Sequence, residues 1–310
     1  MPTKRLLIVD DLHPLFKQEA EALGYVVSDE PLFTREQTLA SIKEYDGLAI
    51  RTKFQVDREL LDAAPNLIWI ARAGAGMDNI DEAYAKAKGI KCINAPEGNA
   101  DAVGEHAVGM LLALLNKFRQ ADMQIRTGVW DREANRGWEL KGRTVGIIGY
   151  GHMGQAFAQK LQGFGVQVLA YDKYKTGFSD AFAKEVSMEE IVKHSDVLSL
   201  HVPLTRETKH LVNQEYLHHF RKPIFLLNTA RGEVLDTNAL VKALKEGKVL
   251  GAGLDVLETE KFPALGEEVW YAELLAQSNV LLSPHVAGWT QESYRKLSEV
   301  LAEKLKNLQI

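Results

Sequence analysis

Short runs made almost wholly of apolar residues recur along the chain, and most are followed by a helically spaced stretch that stops at glycine or proline. A strand that is apolar at every position must be buried on both faces. The arrangement that does this is a parallel sheet with helices on each side. RLLIVD (5–10), GLAIRT (47–52), LIWIARAGAG (67–76) and IKCINAP (90–96) read as a first series of strands. Helical spacing follows Asp11 as far as Gly24, covers VDRELLDAAP (56–65) to Pro65, and covers DEAYAKAKG (81–89) with Gly89 as C-cap. One long helical pattern then runs from near Ala100 to near Thr127. A second series begins at Thr144: TVGIIGYG, VQVLAYD, VLSLHVP, IFLLNTA, LGAGLDV and NVLLSP read as six strands. Two series imply two α/β domains, each a doubly wound parallel sheet. A last helix starts at Thr290, and its pattern does not say which domain it packs on.

The length of 310 residues accommodates two domains, and 46% hydrophobic with 25% charged residues is ordinary for a chain with a real core. A net charge of −5 without a basic block gives no reason to expect a nucleic-acid or membrane-surface partner. The one cysteine, Cys92, precludes an intrachain disulfide and argues against a cysteine-based zinc site, so no metal is expected. The N-terminal MPTKRLLIVDD turns acidic after four apolar residues, too few for a signal segment, and MLLALL (110–115) is too short to span a bilayer. A cytoplasmic location is expected.

The segment GYGHMG follows the strand TVGII directly and opens the helical stretch QAFAQK. Gly149 permits a tight turn, Gly151 lets the backbone approach a pyrophosphate, and Gly154 lets helix and strand pack closely. The anion then rests on free N–H groups at the helix start. Asp172 ends the next strand, about 20 residues on, where an acidic side chain receives ribose hydroxyls and repels a 2′-phosphate. The pattern points to NAD. Lys173 and Lys175 read as solvated surface charges.

Ligands of a doubly wound sheet lie beyond the carboxyl ends of its strands. Arg231 follows IFLLNTA, Glu260 follows GAGLDV by a few residues, and His285 follows VLLSP. A guanidinium at the mouth of a core strand, taken alone, is a turn residue. With a carboxylate and an imidazole at neighbouring strand ends it acquires a chemical purpose. Oxidising a 2-hydroxy acid needs a hydride acceptor, a base for the hydroxyl proton and a cation for the carboxylate. Histidine is suited to the proton, a carboxylate partner fixes its tautomer, and arginine offers a fork of donors.

RAGAGMDNID (72–81), NAPEGNADAVGEHA (94–107), ELKGRTVGIIGYGHMG (139–154), SDVLSLHVPLTRET (195–208), LLNTARGEVLD (226–236), GAGLDV (251–256) and SPHVAGWT (283–290) together resemble the D-isomer-specific 2-hydroxyacid dehydrogenases over nearly the whole chain. The resemblance implies a catalytic set of Arg231, Glu260 and His285. It implies a flavodoxin-like substrate domain, residues 1–97 with 287–310, around a Rossmann NAD-binding domain, residues 98–286, with substrate in the cleft. It implies cofactor contacts at His152, Met153, Val202, Pro203, Thr208, Thr229, Ala230, Asp255 and Gly288, besides the glycines and Asp172, with Asp255 on the nicotinamide carboxamide. It also implies a homodimer in which the long helix after Asn99 takes part. Where the family often has Phe and a Glu-Pro pair, this chain reads DVLETEKF, with Leu257 and Lys261 in those places. Glu258 and Glu260 are therefore both candidates, and spacing from Asp255 favours Glu260. Asp101 stands where a small hydroxyl residue is common.

The loop ARAGAG presents successive amides of Ala73, Gly74 and Ala75 to a carboxylate. Arg51, Lys53 and Arg72 lie at neighbouring strand ends, and strand alternation puts Arg51 and Lys53 on one face. A second anion on the substrate would account for them. Arg51 and RAGAGMDN resemble the phosphoglycerate dehydrogenase branch, which implies oxidation of 3-phosphoglycerate to 3-phosphohydroxypyruvate in serine biosynthesis. No serine-responsive regulatory domain is expected, since the chain stops just after its last helix. The rivals are a glyoxylate or hydroxypyruvate reductase and, from another class, an NAD-sensing binding protein or corepressor. Formate dehydrogenase is disfavoured because it lacks the Glu–His pair.

Overall fold

The structure, a computed structural model, describes residues 4–308. The chain forms two compact units, one running to Ala100 and resuming at Trp289, the other Asp101–Gly288.

The first unit holds five parallel strands, β1 (Arg5–Ile8), β2 (Val26–Asp29), β3 (Gly47–Ile50), β4 (Trp69–Arg72) and β5 (Lys91–Asn94), in the order β2-β1-β3-β4-β5. That order is the flavodoxin-like one. Alternate residues serve opposite faces: Leu7, Leu48 and Ile70 enter one core, while Leu6, Ala49 and Trp69 enter the other with Leu297 and Leu301 of the last helix, Gln291–Asn307. That helix therefore packs on the first unit. β2 escapes a reading by hydropathy because VVSD is a short edge strand with no buried residue.

The second unit holds β6 (Thr144–Ile148), β7 (Gln167–Tyr171), β8 (Lys184–Glu185), β9 (Val197–Leu200), β10 (Ile224–Asn228), β11 (Val249–Leu254) and β12 (Val280–Leu282), all parallel, in the order β12-β11-β10-β9-β6-β7-β8. The order reverses between β6 and β9, and such a switch point is where a doubly wound sheet opens a ligand crevice. β10 is buried at all five positions, with Leu226 in one core and Phe225 and Leu227 in the other. β8, a two-residue edge strand, carries too little hydropathy to be read.

The single helix expected from Ala100 to Thr127 is two, Pro96–Leu115 and Phe118–Arg126. The break is at Lys117, whose φ of 51° is left-handed, and whose Nζ donates to the Ala134 carbonyl at 2.8 Å. A helical pattern in sequence does not register one residue that leaves the helical region. Among the described residues no helix is long and apolar enough to cross a membrane.

Candidate active site

The glycine loop turns between β6 and the helix His152–Lys160, beside the switch point. Gly149 has φ 92°, and a Cβ there would lie 2.5 Å from the His201 carbonyl oxygen, so the turn tolerates no side chain. Beside Gly151 a Cβ would meet nothing within 4 Å. Gly151 is also the N-cap and offers no side chain to the first helical turn. At the nearby end of β10, the Thr229 hydroxyl is buried without a partner. Open space, uncapped amides and an unpaired hydroxyl fit a dinucleotide lying across the strand ends.

Asp172 follows β7, and its carboxylate is already engaged. Oδ2 accepts from Tyr150 N at 2.9 Å, and Oδ1 from Tyr174 N and Lys175 N at 2.9 and 3.2 Å. One lone pair on Oδ2 is left for a further donor. The two lysines are exposed, as expected, and each has a partner: Lys173 pairs with Glu207 at 2.7 Å, and Lys175 reaches back to the Tyr150 carbonyl at 2.9 Å. His152, exposed, and Met153 begin the helix. Val202 and Pro203 follow β9, where Thr208 Oγ1 donates to the Pro203 carbonyl at 2.6 Å and closes the turn.

Three neighbouring strand ends carry Arg231, Glu260 and His285. After β10, Asn228 clamps its own turn, donating to the Arg231 carbonyl at 3.0 Å and accepting from Ala230 N at 3.1 Å. Arg231, half-buried, donates from Nη1 to the Ala230 carbonyl at 2.6 Å. A Cβ on Gly232 would collide with the Leu257 carbonyl, so this glycine lets the Arg231 turn press against the loop carrying both glutamates. In that loop Glu260 Oε2 lies 2.9 Å from His285 Nδ1. A carboxylate only accepts, so Nδ1 carries the proton and Nε2 is left to exchange one. Glu258 faces the other way: Oε2 is 2.8 Å from His210 Nε2, and Oε1 accepts from Thr237 N at 2.8 Å, at the start of the helix Thr237–Lys245.

His285 sits at φ 56°, a left-handed conformation costing about 1–2 kcal/mol for a residue with a side chain. Asp255, 1% exposed after β11, holds the segment around it. Its carbonyl accepts from His285 N at 2.7 Å, and its carboxylate from Val286 N and Ala287 N, each at 2.9 Å, and from Ser283 Oγ at 2.6 Å. Ser283 in turn contacts His106 Nε2 at 3.0 Å. Neither His106 nor Ser283 stands out in the sequence, apart from a lone histidine in the apolar stretch EHAVGMLLALL.

In the first unit β3 stops at Ile50, so Arg51 and Lys53 do not share a strand face. The turn is set by Asp10, whose Oδ2 accepts from the backbone N of Arg51, Thr52 and Lys53 at 2.8–3.0 Å. Lys53 Nζ donates to the Pro31 carbonyl. The Arg51 side chain lies over the Trp289 ring, 3.7 Å from its centroid, in a residue only 8% exposed. Its guanidinium has no hydrogen bond or carboxylate partner among the described residues. Burial draws its proton affinity down, against the opposing pull of Asp10 and Asp11. Arg72 Nε donates to the Arg51 carbonyl at 3.1 Å. In the adjoining loop the Ala73 and Gly74 amides already donate to Ile50 O and Arg72 O, which leaves those of Ala75 and Gly76 open.

Residues 108–287 match the family model described as D-isomer specific 2-hydroxyacid dehydrogenase, NAD binding domain. A glyoxylate reductase of Thermofilum pendens is 40% identical over 279 residues, 88% of this chain and 80% of the relative. A D-3-phosphoglycerate dehydrogenase of Methanocaldococcus jannaschii is 35% identical over 307 residues, 98% of this chain but 57% of that longer relative. Among solved structures, a glyoxylate reductase from Paecilomyes thermophila superposes with a TM-score of 0.88 at 29% identity, covering 99% of this chain and 95% of the other.

Proposed function

The chain belongs to the D-isomer specific 2-hydroxyacid dehydrogenases, and from that premise we propose that it interconverts a D-2-hydroxy acid bearing a second anionic group and the matching 2-keto acid, with 3-phosphoglycerate and 3-phosphohydroxypyruvate as the leading pair. NAD is the cofactor; bound, it would supply the hydride acceptor for C2 of the hydroxy acid or, reduced, the hydride donor. In this reading Nε2 of His285 takes the hydroxyl proton during oxidation and, protonated, gives it back during reduction. Glu260 stabilises the imidazolium and holds the tautomer. Arg231 takes the substrate carboxylate with its fork of donors. The loop glycines, Asp172 and Thr229 hold the dinucleotide. Arg51 and the Ala75 and Gly76 amides are the anion donors proposed for the substrate in the first unit. We also propose a homodimer, since the helix Phe118–Arg126 has no buried residue and exposes apolar side chains.

The observation carrying the substrate reading is Arg51, a buried cation on an indole face whose guanidinium has no acceptor among the described residues. A desolvated guanidinium left this way is costly unless an anion comes to it. A second reading, an unphosphorylated keto acid such as glyoxylate or hydroxypyruvate, is favoured by the higher identity to the Thermofilum enzyme and by the engagement of Lys53 with Pro31. NADH oxidation by wild type and Arg51→Ala separates them. A preference for 3-phosphohydroxypyruvate over glyoxylate and hydroxypyruvate that is lost in the variant supports the phosphorylated substrate. Equal or faster rates with the small acids, unaffected by the variant, support the second reading.

A further inference from the structure

We infer that His106 is a positioning residue for His285, acting through Ser283 and Asp255. The inference rests on His285 being the proton-transfer residue. A serine hydroxyl has one proton to donate. The contact from Ser283 to the buried Asp255 carboxylate, at 2.6 Å, takes it, because an ionised carboxylate only accepts. Ser283 must therefore accept at its other contact, so His106 Nε2 is the donor, 3.0 Å away. The direction of the chain is fixed: His106 to Ser283 to Asp255. His106 Nε2 also lies 3.7 Å from Asp255 Oδ1.

Asp255 then works in the opposite sense on the backbone. Its two carboxylate oxygens and its carbonyl receive the amides of Val286, Ala287 and His285. Those bonds hold His285 at its left-handed φ of 56°, with Nδ1 on Glu260. A carboxylate free to rotate about its last torsion would not keep all of these acceptors in place. His106 projects from the helix Pro96–Leu115 and, by locking Ser283, removes that freedom. The same lock leaves one lone pair on Oδ2 for a cofactor donor.

The test uses the full chain and compares wild type, His106→Gln, His106→Leu, Ser283→Ala and His285→Ala. Glutamine reproduces an Nε2–H donor and leucine does not. The expected result is a fall in kcat of about tenfold or more in His106→Leu and Ser283→Ala, as for a misplaced reacting group. The KM for NADH stays within about twofold, and His106→Gln restores most of the turnover. Wild-type turnover in both His106→Leu and Ser283→Ala while His285→Ala is inactive overturns the inference alone. A His106→Gln enzyme as slow as His106→Leu also overturns it, because the histidine then acts by packing. If His106→Leu does not fold, Ser283→Ala and His106→Gln still decide. An active His285→Ala enzyme sinks the proton-transfer reading itself, and the inference with it.

Discussion

Glu260 Oε2 lies 2.9 Å from His285 Nδ1, at the mouths of two neighbouring parallel strands. The pair is exposed, so its worth as an ion pair in the folded state is small. In the proposed mechanism its value is chemical, in setting which ring nitrogen exchanges a proton. His285→Ala should lower kcat by about 10²–10⁴, the usual contribution of a positioned acid–base group. Glu260→Gln keeps an acceptor for Nδ1–H but not the charge, and should fall between that variant and wild type. NAD affinity, measured by titration, should change little in either. Near-wild-type turnover in His285→Ala would remove the assignment.

Glu258 has a different task. It is mostly buried, bonds His210, and accepts the Thr237 amide at the start of a helix. Glu258→Ala removes both partners and should cost about 1–3 kcal/mol of stability, the penalty for an unsatisfied buried donor plus a lost helix-start contact. Urea unfolding would show the loss as a lower midpoint at unchanged slope. A midpoint equal to wild type would mean that neither contact matters.

Spacing from Asp255 separates these two glutamates in sequence only by count, and the geometry separates them by partner. Much of the fold was legible because its strands are apolar at every position, which only a sheet covered on both faces requires. The glycine loop was legible because its neighbours, a strand and a helix, are encoded beside it. β2 and β8 were not, being edge strands with little to bury. The break at Lys117 depends on one backbone torsion. His106 and Ser283 lie 177 residues apart, and nothing local in either segment tells that they meet. Arg51 and Lys53 show the limit of periodicity: the alternation that would align them ends with β3 at Ile50, and their side chains part.

His201 directly follows β9, with Nε2 on Ser199 Oγ at 2.8 Å and a buried Nδ1 without a partner among the described residues. Burial pushes its pKa from 6.5 down to about 3. The unfolded chain therefore binds a proton there at a pH where the folded chain does not. Stability attributable to this site is full above pH 6.5 and falls as pH drops from there to about 3, by at most about 1.4 kcal/mol per pH unit. His201→Gln cannot titrate, so its urea midpoint should fall less than that of wild type between neutral pH and pH 5. Parallel curves for the two proteins would show that His201 does not drive the acid limb.

The helix Phe118–Arg126 is amphipathic, and none of its residues is fully buried. Phe118 is 59% exposed, and Ile125, two turns on along the same side, is 52% exposed. Apolar residues grouped this way on a water-facing surface are costly unless covered, and a second copy of the chain is the occupant proposed. Light scattering should return twice the 34.6 kDa chain mass at micromolar concentration. The double variant Phe118→Asp, Ile125→Asp puts two carboxylates on that face and should return the single-chain mass, with the glycine loop and the Glu260–His285 pair intact. A monomeric wild type would reject the dimer. A double variant that stays dimeric would move the interface off this helix, and leave its exposed side chains without the cover argued for them.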